Sequence, residues 1–309
     1  MNPNMILGPG TKVVTKVEIS PIGGGDRCPV GIVGIIVASP ADNEHAYRVR
    51  CASGVEALVR RNEIEILSHF QNTGLHRIEG GITEYGLSSH IIYRCVIGSR
   101  AYGLDVEGSD IDRRGIYIAP SDMHWSLYGV PEQLENHETQ ECYWEIQKFL
   151  TLALKANPNI LECLYTPIVE HANPLAQELL AMRGVFLSKL VYQTYNGYVL
   201  SQFKKMNSDI RNKGSVKPKH AMHLIRLLLS GIQILREGFV PVSVDAHRSK
   251  LLAIRENDVT WEQVNIWRKE LHAEFDVAFA STSLPDRPDY ERTNDFLIRV
   301  RREMVNSDE

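Results

Sequence analysis

The amino-terminal part of the chain contains short hydrophobic stretches separated by turn-forming residues. These stretches are rich in valine and isoleucine and cover residues 11–19, 30–38, 46–51, 55–60 and 63–67. Strands of this length and spacing are typical of a small antiparallel barrel or sandwich. We therefore expect a β-barrel module of the SH3-like kind over residues 1–72. Its pattern indicates a structural or docking role but does not identify a partner.

The hydrophobic pattern changes after residue 72. Residues 91–97 and 111–119 have the pattern of strands, and a third extended stretch is expected around residues 138–143. From Trp144 onward the hydrophobic period becomes helical. The first two predicted helices cover residues 144–157 and 157–165. Further helices are predicted at about 174–182, 185–206 and 217–236, from Thr260 onward, and at 289–304. The expected fold class is α+β, with a mixed α/β domain over residues 73–157 and a helical domain over residues 158–309.

Composition and charge exclude several classes of protein. A chain of 309 residues exceeds the size at which one core usually keeps growing, so at least two folding units are expected. The formal net charge of -4 excludes a wholly basic nucleic-acid binder. The five cysteines are widely spread and form no C-x-x-C pair, which disfavours a disulfide scaffold or a zinc site. This use of cysteine fits a reducing, cytoplasmic compartment. The longest apolar run is far shorter than the ~20 residues of a membrane span, so we expect no membrane association.

The most informative segment for chemistry is residues 97–119. Gly98 and Ser99 follow a hydrophobic strand, and Asp110 and Asp112 begin the next one. Because side chains alternate along a strand, the two carboxylates are expected on one face, together with Arg114. Such oxygen ligands suit Mg²⁺ or Mn²⁺ bound together with substrate phosphates, and a Gly-Ser turn offers N–H groups and a hydroxyl to those phosphates. A D-x-D pair alone would equally fit a solvated strand edge, and Arg114 would fit either an ionic partner of the aspartates or a substrate contact.

A basic stretch lies further along the chain. Between residues 198 and 226 there are seven basic residues and a single acid, Asp209. Lys219, His223 and Arg226 recur at helical spacing and are expected to form one stripe. Such a stripe suits a triphosphate or a nucleic-acid backbone, although a charge run is also typical of a solvated helix face. The H-x-x-H spacing of His220 and His223 lacks a third ligand, which disfavours zinc.

These motifs resemble those of a known superfamily. Gly98-Ser99 followed by Asp110-Ile111-Asp112 resembles the signature of DNA polymerase β-like nucleotidyltransferases. The segments GSRAYGL, SDIDRRGIYIAP, KFLTLALKANPNILECLY, KPKHAMHLIRLLLSG and LPDRPDY resemble the bacterial and phage predicted nucleotidyltransferases associated with RNA repair, over about residues 77–302. The resemblance implies a minimal catalytic sheet with a helical carboxy-terminal half. It also implies two Mg²⁺ or Mn²⁺ ions and transfer of a nucleoside monophosphate from an NTP to an acceptor hydroxyl, most simply an RNA 3′ end.

The resemblance also implies the individual site residues. Asp110 and Asp112 would hold the metal ions with a third carboxylate, for which Glu141 is preferred over Glu138 although the family pattern places the acid near position 140. The expected nucleotide-binding residues are Gly98, Ser99, Arg100, Tyr102, Lys204, Lys219, His220, His223 and Arg226. For Tyr102, packing beneath the loop is an equal alternative. Two other functions stay open: nucleotidylation of a protein or small molecule, and a non-catalytic RNA-binding or assembly factor.

Overall fold

The computed structural model describes residues 6–25, 27–42, 45–72, 86–136, 138–213 and 216–307. The chain divides into two compact units, residues 1–77 and 78–309. The boundary predicted after residue 72 adjoins residues 73–85, which lie outside the described residues. The first unit contains the predicted β-rich module, and the second contains the candidate chemistry.

The first unit is an antiparallel sheet followed by a short helix. Its elements are β1 (Lys12–Thr15), β2 (Val33–Ala38), β3 (Tyr47–Cys51), β4 (Glu56–Val59), β5 (Ile64–Ile66) and α1 (Leu67–Asn72). The strand order is β4-β3-β2-β1-β5, so each predicted stretch contains one strand. Alternate residues such as Tyr47 and Val49 are buried, and the residues between them are exposed. No closed barrel is found among the described residues, so the SH3-like barrel stays a prediction.

The second unit is built on a mixed sheet. Its strands are β6 (Ile91–Ile97), β7 (Asp112–Tyr117), β8 (Gln133–Asn136), β9 (Glu141–Glu145) and β10 (Val169–Ala172), in the order β10-β6-β7-β9-β8. Only the β7–β9 pair is parallel; the other described pairs of this sheet are antiparallel. The sequence pattern predicts β6 and β7 but misses β8 and β10, because each has only four residues and little apolar character.

Helices follow and flank this sheet. They are α2 (Ser99–Tyr102), α3 (Ser121–Trp125), α4 (Ile146–Leu154), α5 (Pro158–Tyr165), α6 (Pro174–Ala181), α7 (Leu190–Lys213), α8 (Pro218–Glu237), α9 (Arg248–Glu256), α10 (Trp261–Ser281) and α11 (Tyr290–Ser307). The helical start predicted at Trp144 is wrong. Trp144 lies in β9, and the carboxylate of Glu145 accepts from the backbone N–H of Gln147 and begins α4. The helix predicted from Thr260 does begin there, with a capping box between Thr260 and Gln263.

The two faces of the mixed sheet have different surroundings. One face, which carries Cys95, Ile97, Ile116 and Cys142, shares a continuous hydrophobic core with the helices. The other face packs Tyr117 and Tyr143 into a smaller cluster. The α+β class with a helical carboxy-terminal half is therefore confirmed, whereas the predicted division at residue 157 stays a prediction. Within the described residues, none of the helices combines the length and the apolar character needed to span a membrane.

Candidate active site

A glycine turn connects strand β6 to the site. Gly98 has φ 76° and ψ -156°, a backbone conformation that is essentially restricted to glycine. A Cβ atom built on Gly98 would lie 2.2 Å from Oδ2 of Asp112. The carboxylate of Asp112 therefore lies directly against the backbone of the turn. Ser99 then begins α2, which ends at Gly103 with φ 70°.

Strand β7 places the aspartates beside this turn. Asp112 pairs with Ile97 across the antiparallel ladder, so their side chains share the helix-covered face of the sheet. A guanidinium nitrogen of Arg114, Nη2, lies 3.4 Å from Oδ1 of Asp112, while its Nη1 donates to the carbonyl of Gln140 at 2.8 Å. Arg114 is therefore an ionic partner of Asp112. Asp110 precedes the strand and is exposed.

A cleft of about 740 Å³ brings most of the predicted site residues together. This volume is within the range of about 300–1,000 Å³ usual for ligand pockets. Of the predicted residues, the cleft is lined by Gly98, Ser99, Tyr102, Asp110, Asp112, Lys219, His220, His223 and Arg226. The turn and the aspartates come from the sheet, and the basic residues come from α8. Residues separated by more than a hundred positions in the chain therefore form one cavity.

Arg226 is the most buried charge of the cleft. Its side chain is 3 % exposed and forms an ion pair with Glu162, which is 1 % exposed. The guanidinium carbon lies 3.8 Å from the centre of the Tyr102 ring, and the Tyr102 hydroxyl donates to the other oxygen of Glu162 at 2.6 Å. Burial holds the pKa of Tyr102 well above its usual value, so the phenol keeps the proton that it donates. Arg226 and Tyr102 are thus fixed against each other, and the charge of Arg226 is largely balanced.

The two histidines of α8 have different partners. Nδ1 of His220 lies 2.8 Å from Oδ2 of Asp209 in α7, whereas Nδ1 of His223 lies 3.2 Å from Nη2 of Arg226. Burial, together with the positive charges of Arg226 and Lys205, lowers the pKa of His223 to about 3. His223 is therefore neutral at physiological pH and does not add to the positive charge of the predicted stripe.

Three predicted residues do not line the cleft. The guanidinium of Arg100 donates to the carbonyl of Ser109 at 3.0 Å, and Lys204 is exposed on α7. Lys205, the next residue on α7, lines the cleft instead. The third is Glu141, the predicted third carboxylate.

The structure does not bring Glu141 together with Asp110 and Asp112. Glu141 pairs with Arg113 in the parallel ladder, and adjacent paired residues share a face, so it lies on the face opposite Asp112. Its partners are the guanidinium of Arg113 at 3.9 Å and the hydroxyl of Tyr143 at 3.3 Å. Gln140 precedes β9, and its carbonyl accepts hydrogen bonds from the backbone N–H of Arg113 and from Nη1 of Arg114. Within the described residues, no cluster of three or more His, Cys, Asp or Glu side chains is suited to a metal ion.

Several cleft residues are missed by sequence reasoning. The charged examples that line the cleft are Glu107, Lys205 and Arg255, and Glu162 is the buried partner of Arg226. A signal for Glu162 exists in the sequence, because it is a lone acid among the buried residues of α5. Arg226 similarly interrupts a buried apolar run in α8. Two opposite charges in apolar helix faces indicate a buried ion pair, since neither would be stable there alone.

A mixed sheet with a Gly-Ser turn beside an Asp-x-Asp pair has the arrangement of a polymerase β-like nucleotidyltransferase. A family model described as "RNA repair pathway DNA polymerase beta family" matches residues 65–299. The chain belongs to this family, which suggests a nucleotidyltransferase of RNA repair. It is also similar to "Uncharacterized protein YcgL" of Bacillus subtilis (strain 168), with 28% identity over 170 residues. That match covers 54% of this chain and 63% of the relative.

Proposed function

We propose that the chain is a divalent-metal-dependent nucleotidyltransferase that transfers a nucleoside monophosphate from an NTP to an RNA 3′ hydroxyl. The observation that carries the proposal is the single cleft in which Gly98, Asp110, Asp112 and the basic side chains of α8 meet. A glycine turn, two carboxylates and cationic side chains are the groups needed to hold a metal-bound triphosphate. Membership of the RNA repair family supports RNA as the acceptor.

The donor set of the cleft fits a divalent cation. Mg²⁺ is commonly bound by one or two carboxylates together with substrate phosphates and water, so Asp110 and Asp112 would hold it. When bound, the ion would supply charge neutralisation at the phosphates. Arg114 would then orient Asp112, with which it is paired at 3.4 Å. A second ion remains part of the proposal, but Glu141 would not supply a ligand to it, because Glu141 lies on the opposite face.

The remaining cleft residues suit the triphosphate and the base. Lys205 and Lys219 are exposed cations at the cleft wall. Gln202 and Asn159 also line it and offer amide donors and acceptors to a nucleobase or ribose. Arg226 would act mainly through the residues it positions, because Glu162 already balances its charge.

The direct test is transfer of label from each α-³²P-NTP in the presence of Mg²⁺ and an RNA, a protein mixture or small hydroxyl compounds. Label on the RNA 3′ end supports the proposal. Label on a protein or a small molecule would show that this compound, and not RNA, is the acceptor. Absence of transfer combined with RNA binding favours a non-catalytic RNA-binding factor. Asp110→Asn and Asp112→Asn should each abolish transfer, because an amide removes the negative charge that holds the ion. Transfer that persists in both variants would contradict the metal assignment.

A further inference from the structure

The two cleft histidines differ in which ring nitrogen carries a proton. His220 and His223 lie about one turn apart on α8 and both line the cleft. Nδ1 of His220 faces a negatively charged carboxylate, whereas Nδ1 of His223 faces a positively charged guanidinium. The partner therefore determines the tautomer of each neutral ring and what its Nε2 can do.

For His220 the partner is a carboxylate. Burial raises the pKa of Asp209, but the hydrogen bond from His220 and the nearby Lys217 outweigh it, so its pKa lies below the usual value. An ionised carboxylate only accepts hydrogen bonds, so Nδ1 of His220 carries the proton and donates it at 2.8 Å. In the neutral ring, the lone pair is then on Nε2.

For His223 the partner is a guanidinium. An arginine side chain has donors only, so Nη2 of Arg226 donates to Nδ1 of His223 at 3.2 Å. The proton of the neutral ring is therefore on Nε2. His223 presents an N–H donor where His220 presents an acceptor.

We propose that His220, oriented by Asp209, is the general base that takes the proton of the acceptor hydroxyl, and that His223 donates its Nε2–H to the triphosphate. This proposal rests on the proposed function. Nε2 of His220 accepts the hydroxyl proton as the acceptor oxygen forms a bond to the α-phosphorus. The bond between the α-phosphorus and the bridging oxygen to the β-phosphorus breaks, and pyrophosphate leaves with that electron pair. An Asp-oriented histidine is a general base in many enzymes.

The position of Glu141 supports a base other than a carboxylate. Glu141 lies on the face opposite Asp112, and Glu107, a further acid that lines the cleft, is exposed in the loop before Asp110. Asp209 and His220 come from α7 and α8, the helices that also carry the cationic lysines. An acceptor strand bound by those lysines would therefore lie beside His220, which lines the same cleft.

Several charged groups surround the two rings. They are Lys205 and Asp209 on α7, Lys217 immediately before α8, Lys219 and Arg226 on α8, and Glu162 on α5. Among them, Asp209 is the acid that contacts the His220 ring. His223, with its low pKa, should contribute no ionisation between pH 5 and 8.

The first test measures the tautomers in the intact protein without substrate. Long-range ¹H–¹⁵N NMR spectra, assigned with His220→Ala and His223→Ala, should show an Nδ1–H tautomer for neutral His220 and an Nε2–H tautomer for His223. The opposite assignment for either ring would overturn the proposal. Because no activity is needed, this result does not depend on the proposed function.

The second test separates the base from a phosphate contact. His220→Ala should lower kcat by about 10²–10⁴-fold, with the affinity for a non-hydrolysable NTP unchanged. Asp209→Asn should lower kcat in the same way, because an amide does not hold the ring in the Nδ1–H tautomer. His223→Ala should instead weaken NTP binding. Weakened NTP binding with unchanged kcat in His220→Ala would overturn the assignment of the base.

The chain provides a matched control in its first unit. Asp42 and His45 form another Asp–His pair, with Nδ1 2.7 Å from Oδ1, on the exposed surface. His45→Ala should leave kcat and its pH profile unchanged. Failure of the unmodified protein to transfer label to any acceptor would refute the proposed function. Transfer at the unmodified rate by folded His220→Ala would refute the assignment of His220 as the base and leave the proposed function standing.

Discussion

Replacement of Gly98 by alanine tests whether the glycine turn positions Asp112. The new Cβ would lie 2.2 Å from Oδ2 of Asp112, closer than non-bonded atoms approach, and 3.1 Å from Cγ, a tight contact. The carboxylate must therefore move out of its position beside the turn. The backbone conformation at φ 76° and ψ -156° adds a strain of about 1–3 kcal/mol for a residue with a side chain.

Two measurements distinguish the strain from the displacement of Asp112. A strain of this size should lower Tm by roughly 2–4 °C per kcal/mol for a unit of this length. Displacement of Asp112 should remove most of the Mg²⁺-dependent affinity for a non-hydrolysable NTP, measured by isothermal titration calorimetry. Gly98→Ala should therefore lose most of its nucleotide affinity while its Tm changes only modestly.

Gly129→Ala is the matched control for backbone strain. Gly129 also has a positive φ, 67°, but a Cβ there would meet no atom within 4 Å. This variant should lower Tm slightly and bind the nucleotide normally. Normal Mg²⁺-dependent binding by Gly98→Ala would refute the view that the turn holds Asp112 in place.

Three further predictions follow from the geometry of the cleft. Glu141→Gln should retain most of the transfer activity, because Glu141 lies on the opposite face of the sheet; a loss as complete as that of the aspartate variants would show that it reaches the metal. Glu162→Gln or Arg226→Met should lower the free energy of unfolding by about 3–5 kcal/mol in urea denaturation, because each leaves the other charge buried alone. The double replacement by Leu and Met should recover part of that loss, and additive losses would contradict an ion pair. Lys219→Ala should weaken RNA binding and reduce the slope of log binding constant against log salt concentration by about one unit. Lys204→Ala, outside the cleft, should change this slope less. Equal slopes in the two variants would argue against a phosphate contact of Lys219.

Local patterns in the sequence predict much of the candidate site. The Gly-Ser turn follows a strand with buried periodicity, and the alternation along the next strand puts Asp112 and Arg114 on one face. The helical spacing of α8 predicts that Lys219 and His223 lie near each other. These relations extend over a few residues, so they depend only on the geometry of one strand or helix.

The assignment of Glu141 and Arg226 needs information that is not local. A shift of one residue in strand register moves every side chain to the other face, and β9 pairs Glu141 with Arg113. Burial of Arg226 depends on α5, which supplies Glu162 from 64 residues away. Neither partner can be inferred from the spacing of residues within one element.

The sequence by itself therefore determined the α+β class, the glycine turn, the aspartate pair and the basic helix. The tertiary structure alone decided which of these groups share a cleft, which acid stays outside it and which charged group faces Nδ1 of each histidine. The physical reason is the range of the interactions. Periodicity determines the face of a single element, whereas strand register, ion pairing and tautomer depend on side chains that only the folded chain brings together.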